Sequence, residues 1–248
     1  MVSGATENLA WASAASFGQV ARPPVVTDLV RGWTSPGAYA PARVRPSRWA
    51  IALELATSFT GLALFAFMLM HLTLLSSVLL GARAMNALAA FLEESYLLQM
   101  GAVLLVPTLA AHIALTARKV PLTLRQQRGL LRQMSWLRHP DTWTWAFQVI
   151  TGAAILVLAA VHLWVILTDL PIQAAKSGAR VFASYLWFYI PFVILVEFHA
   201  SIGLYRIAVK WGPLSRHRTH MGLTVWSVIA VVLGFVILVT FYLIGRSL

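Results

Sequence analysis

Five long apolar runs, roughly 49–80, 95–117, 142–168, 181–206 and 221–245, alternate along the chain with short stretches where charge, glycine and proline collect. A helix needs about 20 apolar residues to cross a bilayer, and each run meets that length. The runs must be helical, because lipid offers no partners for backbone N–H and C=O groups. A closed barrel would need short strands of alternating polarity, which unbroken runs of this length do not provide. The pattern therefore predicts an all-α integral membrane protein: an N-terminal arm, 1–48, followed by a transmembrane domain of five helices, 49–248.

Composition agrees. With 59% hydrophobic and only 11% charged residues among 248, the chain carries more apolar surface than a soluble globule of this size buries. There is no cysteine, which excludes covalent c-type haem attachment, iron–sulfur ligation and disulfides within the chain. The arm is broken by Pro23, Pro24, Pro36, Pro41 and Pro46 and lacks a basic stretch followed by an apolar core, so no cleaved signal is expected.

The net charge of +11 would point to nucleic acid in a soluble protein, but here the cations sit between membrane runs and set orientation instead. Of the 19 Lys and Arg residues, all but Arg83, Lys176, Arg180 and Arg246 fall on one side of a five-span chain. The positive-inside rule puts that side, and the N-terminus, in the cytoplasm and the C-terminus outside. Segment 118–140 carries Arg125, Arg128 and Arg132 at roughly helical spacing beside Leu124, Leu131 and Met134. It reads equally as a basic loop on anionic lipid headgroups or as a docking surface for a cytoplasmic partner.

Of seven histidines, His139, His217 and His220 lie in connections, but His71, His112, His162 and His199 fall one in each of the first four runs. An ionisable group inside a membrane is costly and needs a reason. A single such histidine is often only a hydrogen bond between helices. These four pair by depth. His71 and His162 lie in the outer half. His112 and His199 lie six and seven positions before Arg118 and Arg206, on the order of 10 Å from the inner ends at 1.5 Å per residue.

Two histidine pairs stacked in a helical bundle match what two b haems require, one imidazole on each face of each porphyrin. Zinc would want more ligands per site. Small residues near the histidines, Gly61, Gly152, Ala159, Ala160, Ala200 and Gly203 among them, would admit a flat macrocycle, or equally serve close helix packing.

The run from Val196 to Gly212, VEFHASIGLYRIAVKWG, resembles the fourth-span signature of the dihaem cytochrome b subunits of single-anchor fumarate reductases and succinate:menaquinone oxidoreductases. Arg138-His139-Pro140-Asp141-Thr142, Thr151-Gly152, Val161-His162-Leu163, Ala111-His112 and Arg118-Lys119-Val120-Pro121 are similar too, so the resemblance covers about 49–212. It implies that His71 and His162 ligate a distal haem iron and His112 and His199 a proximal one. It also implies that Ser58, Trp145 and Lys210 hold proximal haem propionates, although Thr57 stands where the family has Gln.

By the same resemblance the chain is a subunit of quinol:fumarate reductase or succinate:quinone oxidoreductase in a bacterial cytoplasmic membrane. It would anchor an iron–sulfur subunit and an FAD flavoprotein, with a dimer of the heterotrimer as the family's assembly. Menaquinol is the implied substrate, Glu93 falls on the family's quinol-site glutamate beside Glu94, and Glu197 on the glutamate that carries protons. Read from the residues alone, Glu93 also fits a loop acid at a helix start, and Glu197 a neutral acid bonded to a neighbouring helix. Two other readings use the same histidines: the cytochrome b anchor of a membrane hydrogenase or formate dehydrogenase, which the Glu197-to-Gly212 run argues against, and a proton-coupled transporter.

Overall fold

A computed structural model describes residues 47–121, 123–137, 140–212 and 215–248, so the expected arm lies outside the described residues except for Ser47 and Arg48, as does His139. Every regular element among the described residues is helical. α1, Arg48–Ser76, runs into a 3₁₀ turn, Ser77–Leu80, and stops at Gly81, whose φ of 108° suits a residue without Cβ. α2, Ala82–Glu94, is a short amphipathic helix in the first connection. α3 is Leu97–Ala117, α4 Leu124–Leu137 and α5 Pro140–Leu167. α6, Ala174–Arg180, continues through a π turn, Val181–Tyr185, into α7, Leu186–Trp211, and α8 is Arg216–Arg246.

Five helical stretches are long and apolar enough to cross a membrane: Arg48–Leu80, Leu97–Ala117, Asp141–Leu167, Ala174–Trp211 and Arg216–Arg246. The chain is thus an all-α integral membrane protein. The last two stretches begin earlier than the apolar pattern predicts. Lys176 and Arg180 interrupt the pattern at the start of the fourth, but both pair with Asp169, at 2.6 and 2.7 Å, so the helix carries them at its edge. In the fifth, Ser215 Oγ accepts the Arg218 N–H at 3.3 Å and caps a basic first turn. His217 and His220 consequently belong to α8, not to a connection.

α1 packs against α3 and α7, α5 against α7, and α8 against both α6 and α7. The α6–α7–α8 side is tightly filled. A Cβ on Gly234 would come within 2.8 Å of Val193 Cγ1, and one on Gly178 within 2.9 Å of the Gly245 backbone nitrogen, so only glycine permits these approaches. Val78, Met85, Ala174, Val181, Ile237, Leu238 and Phe241 form the buried core there. α1 and α3, though just as apolar, bury no residue. Their inward faces line a cavity of about 1570 Å³ among α1, α3, α5 and α7.

Candidate functional site

The cavity exceeds the roughly 300–1,000 Å³ that one drug-sized ligand occupies. It runs from Glu54, Lys119 and Lys210 at one end of the bundle, the basic end, to Leu72, Ile172 and Arg180 at the other, and all four intramembrane histidines line it. His71 from α1 and His162 from α5 face each other with ring centres 6.1 Å apart and planes at 74°. Phe67 stacks on His71 at 5.7 Å, and Phe192 tilts against His162 at 5.6 Å. His112 from α3 and His199 from α7 line the same cavity. Each rests on a glycine: a Cβ on Gly61 would stand 3.3 Å from His112 Cε1, and one on Gly152 3.0 Å from His199 Cε1. The structure therefore brings His71 and His162 face to face and sets His112 and His199 on the lining of the same cavity.

Three of the four rings have Nδ1 engaged. His199 Nδ1 is 3.1 Å from the Gln148 carbonyl, which can only accept, so that nitrogen carries the proton. Thr151 Oγ1, 3.1 Å from the same nitrogen, spends its own hydrogen on the Phe147 or Gln148 carbonyl at 2.9 and 3.1 Å. His112 meets a threonine too: its Nδ1 lies 3.0 Å from Thr60 Oγ1, which also reaches the Ala56 or Thr57 carbonyl at 2.9 and 3.1 Å. His162 Nδ1 meets Tyr189 Oη at 3.3 Å. In His199 the proton fixed on Nδ1 leaves Nε2 with a free lone pair, the form in which imidazole binds a metal.

At the basic end Ser58 and Lys210, two of the residues expected to hold propionates, touch Glu54, a residue absent from the sequence expectations. Glu54 accepts Arg118 Nη2 at 2.9 Å, Lys119 Nζ at 2.8 Å, and Lys210 Nζ. Ser58 Oγ donates to the Glu54 carbonyl at 3.0 Å and accepts the Trp211 indole N–H at 2.9 Å. Trp145 lines the same end of the cavity, and Thr57 turns its hydroxyl back to the Leu53 carbonyl at 2.7 Å.

At the far end Glu93 closes α2, so it is not an acid at the start of the next helix. Its Oε1 accepts the backbone N–H of Ile172 at 2.7 Å and ties α2 to the loop before α6, while Glu94 is exposed. Glu93 stands beside the cavity, whose lining at this point is Leu92 and Ile172. Asp169, between Lys176 and Arg180, has its carboxyl held below the usual carboxylate range first by the Lys176 hydrogen bond and then by that of Arg180. Glu197 is 4% exposed, on the α8 side of α7. Ser201 Oγ donates to its Oε1 at 2.6 Å, and Ser227 Oγ of α8 stands 3.1 Å from that oxygen and 2.8 Å from Ser201 Oγ.

Glu54, Thr60, Gln148, Tyr189 and Ser227 were not singled out from the sequence, and Thr151 entered only as part of the family resemblance. For Glu54 a signal existed: it is the one acid inside the first apolar run. The hydroxyls carried none, since Ser and Thr are common in membrane helices as local backbone donors.

A family model described as "Succinate dehydrogenase/Fumarate reductase transmembrane subunit" matches residues 124–239. The fumarate reductase cytochrome b subunit of Helicobacter pylori is 38% identical over 171 residues, covering 64% of this chain and 67% of that protein. The protein of the same name from Wolinella succinogenes is 34% identical over 178 residues, covering 68% and 70%.

Proposed function

Because the chain belongs to the family of fumarate reductase cytochrome b subunits, we propose that it is the membrane anchor and dihaem electron conduit of such a complex, oxidising menaquinol at its far end. The observation that carries this reading is one cavity lined by four intramembrane histidines, of which His71 and His162 face each other across it and His199 has its Nε2 lone pair left free by the Gln148 carbonyl. The residues fit haem. Metal–imidazole bonds of about 2 Å on either side of one iron put two ring centres about 6 Å apart, and His71 and His162 stand at 6.1 Å. Among the described residues no three His, Asp or Glu side chains converge as a bare ion would need, whereas a haem would ask the protein for two histidines only.

His71 and His162 would hold one iron, and His112 and His199 the other. Bound haem supplies one-electron carriage across the hydrocarbon, between quinol at the far end and an iron–sulfur subunit, itself joined to a flavoprotein, at the basic end. Gly61 and Gly152 leave room for the two basic-end imidazoles, Thr60 and Thr151 hold their Nδ1 edges, and the Gln148 carbonyl fixes the tautomer of His199. Ser58, Trp145 and Lys210 lie where carboxylates of a group on His112 and His199 would be received.

Oxidising a quinol releases protons with its electrons, and Glu93 is the half-buried acid at the far end able to accept one. Electrons moving inward alone would oppose themselves by about 2.3 kcal/mol per charge per 100 mV. Glu197, buried and lining the cavity, is placed to pass a proton in the same direction, with Ser201 and Ser227 holding one of its oxygens. This reading puts the basic end in the cytoplasm of a bacterium and the C-terminus outside.

A reduced-minus-oxidised visible spectrum of the purified protein tests the reading. Sharp b-type bands with two haems per chain are expected, and a colourless preparation overturns it.

A further inference from the structure

Glu54 is the only acid inside the first apolar run, a place where a carboxylate is costly. Three cations from two other helix ends converge on it: Arg118 and Lys119 at the end of α3, and Lys210 near the end of α7. One carboxylate among three cations leaves the cluster net positive, which suits an anion in the cavity mouth. Without it, the two lysines that now share Oε2 would face each other with no counter-charge between them.

Register ties this cluster to one histidine pair. Glu54, Ser58 and Gly61 are spaced i, i+4, i+7 and share a face of α1, and all three line the cavity. His112 rests on Gly61. The carboxylate therefore stands about 10 Å along the helix axis from that imidazole, seven residues at 1.5 Å each. His71 lies ten residues farther still along α1, beyond Gly61. Ser58 and Trp211 join the cluster to α7, through the 2.9 Å indole–hydroxyl bond and Lys210 Nζ 5.0 Å above the Trp211 ring.

We propose that Glu54 is a positioning residue for the haem held by His112 and His199: it gathers Arg118, Lys119 and Lys210 to receive that haem's carboxylates and lowers the haem's reduction potential with its own charge. The inference rests on the dihaem reading above. The sign follows from charge. The oxidised haem iron carries one more positive charge than the reduced, so a nearby anion favours oxidation and a nearby cation favours reduction. In a medium of low dielectric both effects are felt at this range, and they fade toward the far pair.

Redox titration of the purified full complex, followed in the visible bands, tests this in wild type, Glu54→Gln, Glu54→Asp, Lys119→Met and the Glu54→Gln/Lys119→Met double variant. Glu54→Gln is expected to raise the midpoint of one haem, the one lost in His199→Ala, and to leave the other in place. Lys119→Met is expected to lower that same midpoint, Glu54→Asp to leave it near wild type, and the double variant to bring it back toward wild type. Unmoved midpoints in Glu54→Gln with two haems bound, a shift confined to the other haem, or a double variant that fails to revert would each overturn the proposal. If Glu54→Gln does not assemble, Lys119→Met decides: an unmoved midpoint overturns the proposal and a lowered one supports it. Absence of haem from the wild-type protein would instead sink the dihaem reading itself.

Discussion

The two histidine pairs are built differently, though all four residues sit in apolar helices at similar cost. The far pair is held by rings. Phe67 stacks on His71, while Tyr189 and Phe192 crowd His162, and among the described residues the one hydrogen bond to either imidazole is the 3.3 Å contact from His162 to Tyr189. The basic-end pair is held by hydroxyls and a carbonyl, on glycines, within reach of a cluster of four charged groups. An aromatic, weakly polar shell and a hydrogen-bonded, cationic one stabilise oxidised and reduced iron to different degrees. On the dihaem reading proposed above, the contrast would let one bundle set two distinct potentials with the same ligand type, by what touches the outer nitrogen and what charge lies at the cavity mouth.

Removing a ligand is the largest perturbation. His71→Ala or His162→Ala is expected to halve the haem content by losing one spectral component, and His112→Ala or His199→Ala by losing the other, as pyridine haemochrome assays and difference spectra read. Next comes Glu93→Gln. Glutamine can still accept the Ile172 N–H, so the fold and both haems should survive, while menaquinol-linked fumarate reduction is lost and reduction by an artificial donor continues. Survival of both activities would make Glu93 only the tie between α2 and the loop before α6.

Glu197→Gln should act more gently: both haems bound, but severely slowed menaquinol-linked turnover in coupled membranes. Normal turnover there, with full haem and an intact membrane potential, would remove the proton role. At the basic-end pair, Thr151→Val takes away an acceptor of the His199 Nδ1 proton, and loss of such an outer contact costs about 10–100-fold in metal affinity. Haem retention during dialysis against apomyoglobin measures it. Tyr189→Phe, which removes only the longer contact to His162, is expected to have the smallest effect in the same assay; an effect larger than that of Thr151→Val would reverse the contrast between the two shells.

Much of this was legible in the sequence because membranes impose simple rules. Five apolar runs gave five spans, and depth matched His71 with His162, whose rings the fold brings face to face, since helix rise converts residue number into height. The start of the fourth span was hidden because Lys176 and Arg180 read as loop residues, and only the fold brings Asp169 against them. α2 was unseen as a helix because its face of Met85 and Ala89 is too short to span and packs beside α6. Glu54 escaped for a related reason. Its partners lie 64, 65 and 156 residues away along the chain, and no local pattern announces a cluster assembled from three helices. The Nδ1 partners are likewise tertiary: Thr60 and Thr151 mean nothing until α3 and α7 bring imidazoles to them.

The most direct test of the central claim is a potentiometric titration of the wild-type protein alongside the four single His→Ala variants. Two b-type components are expected in the wild type, with His71→Ala and His162→Ala abolishing the same one and His112→Ala and His199→Ala abolishing the other. A single component in the wild type, or variants that group in any other pairing, would contradict it.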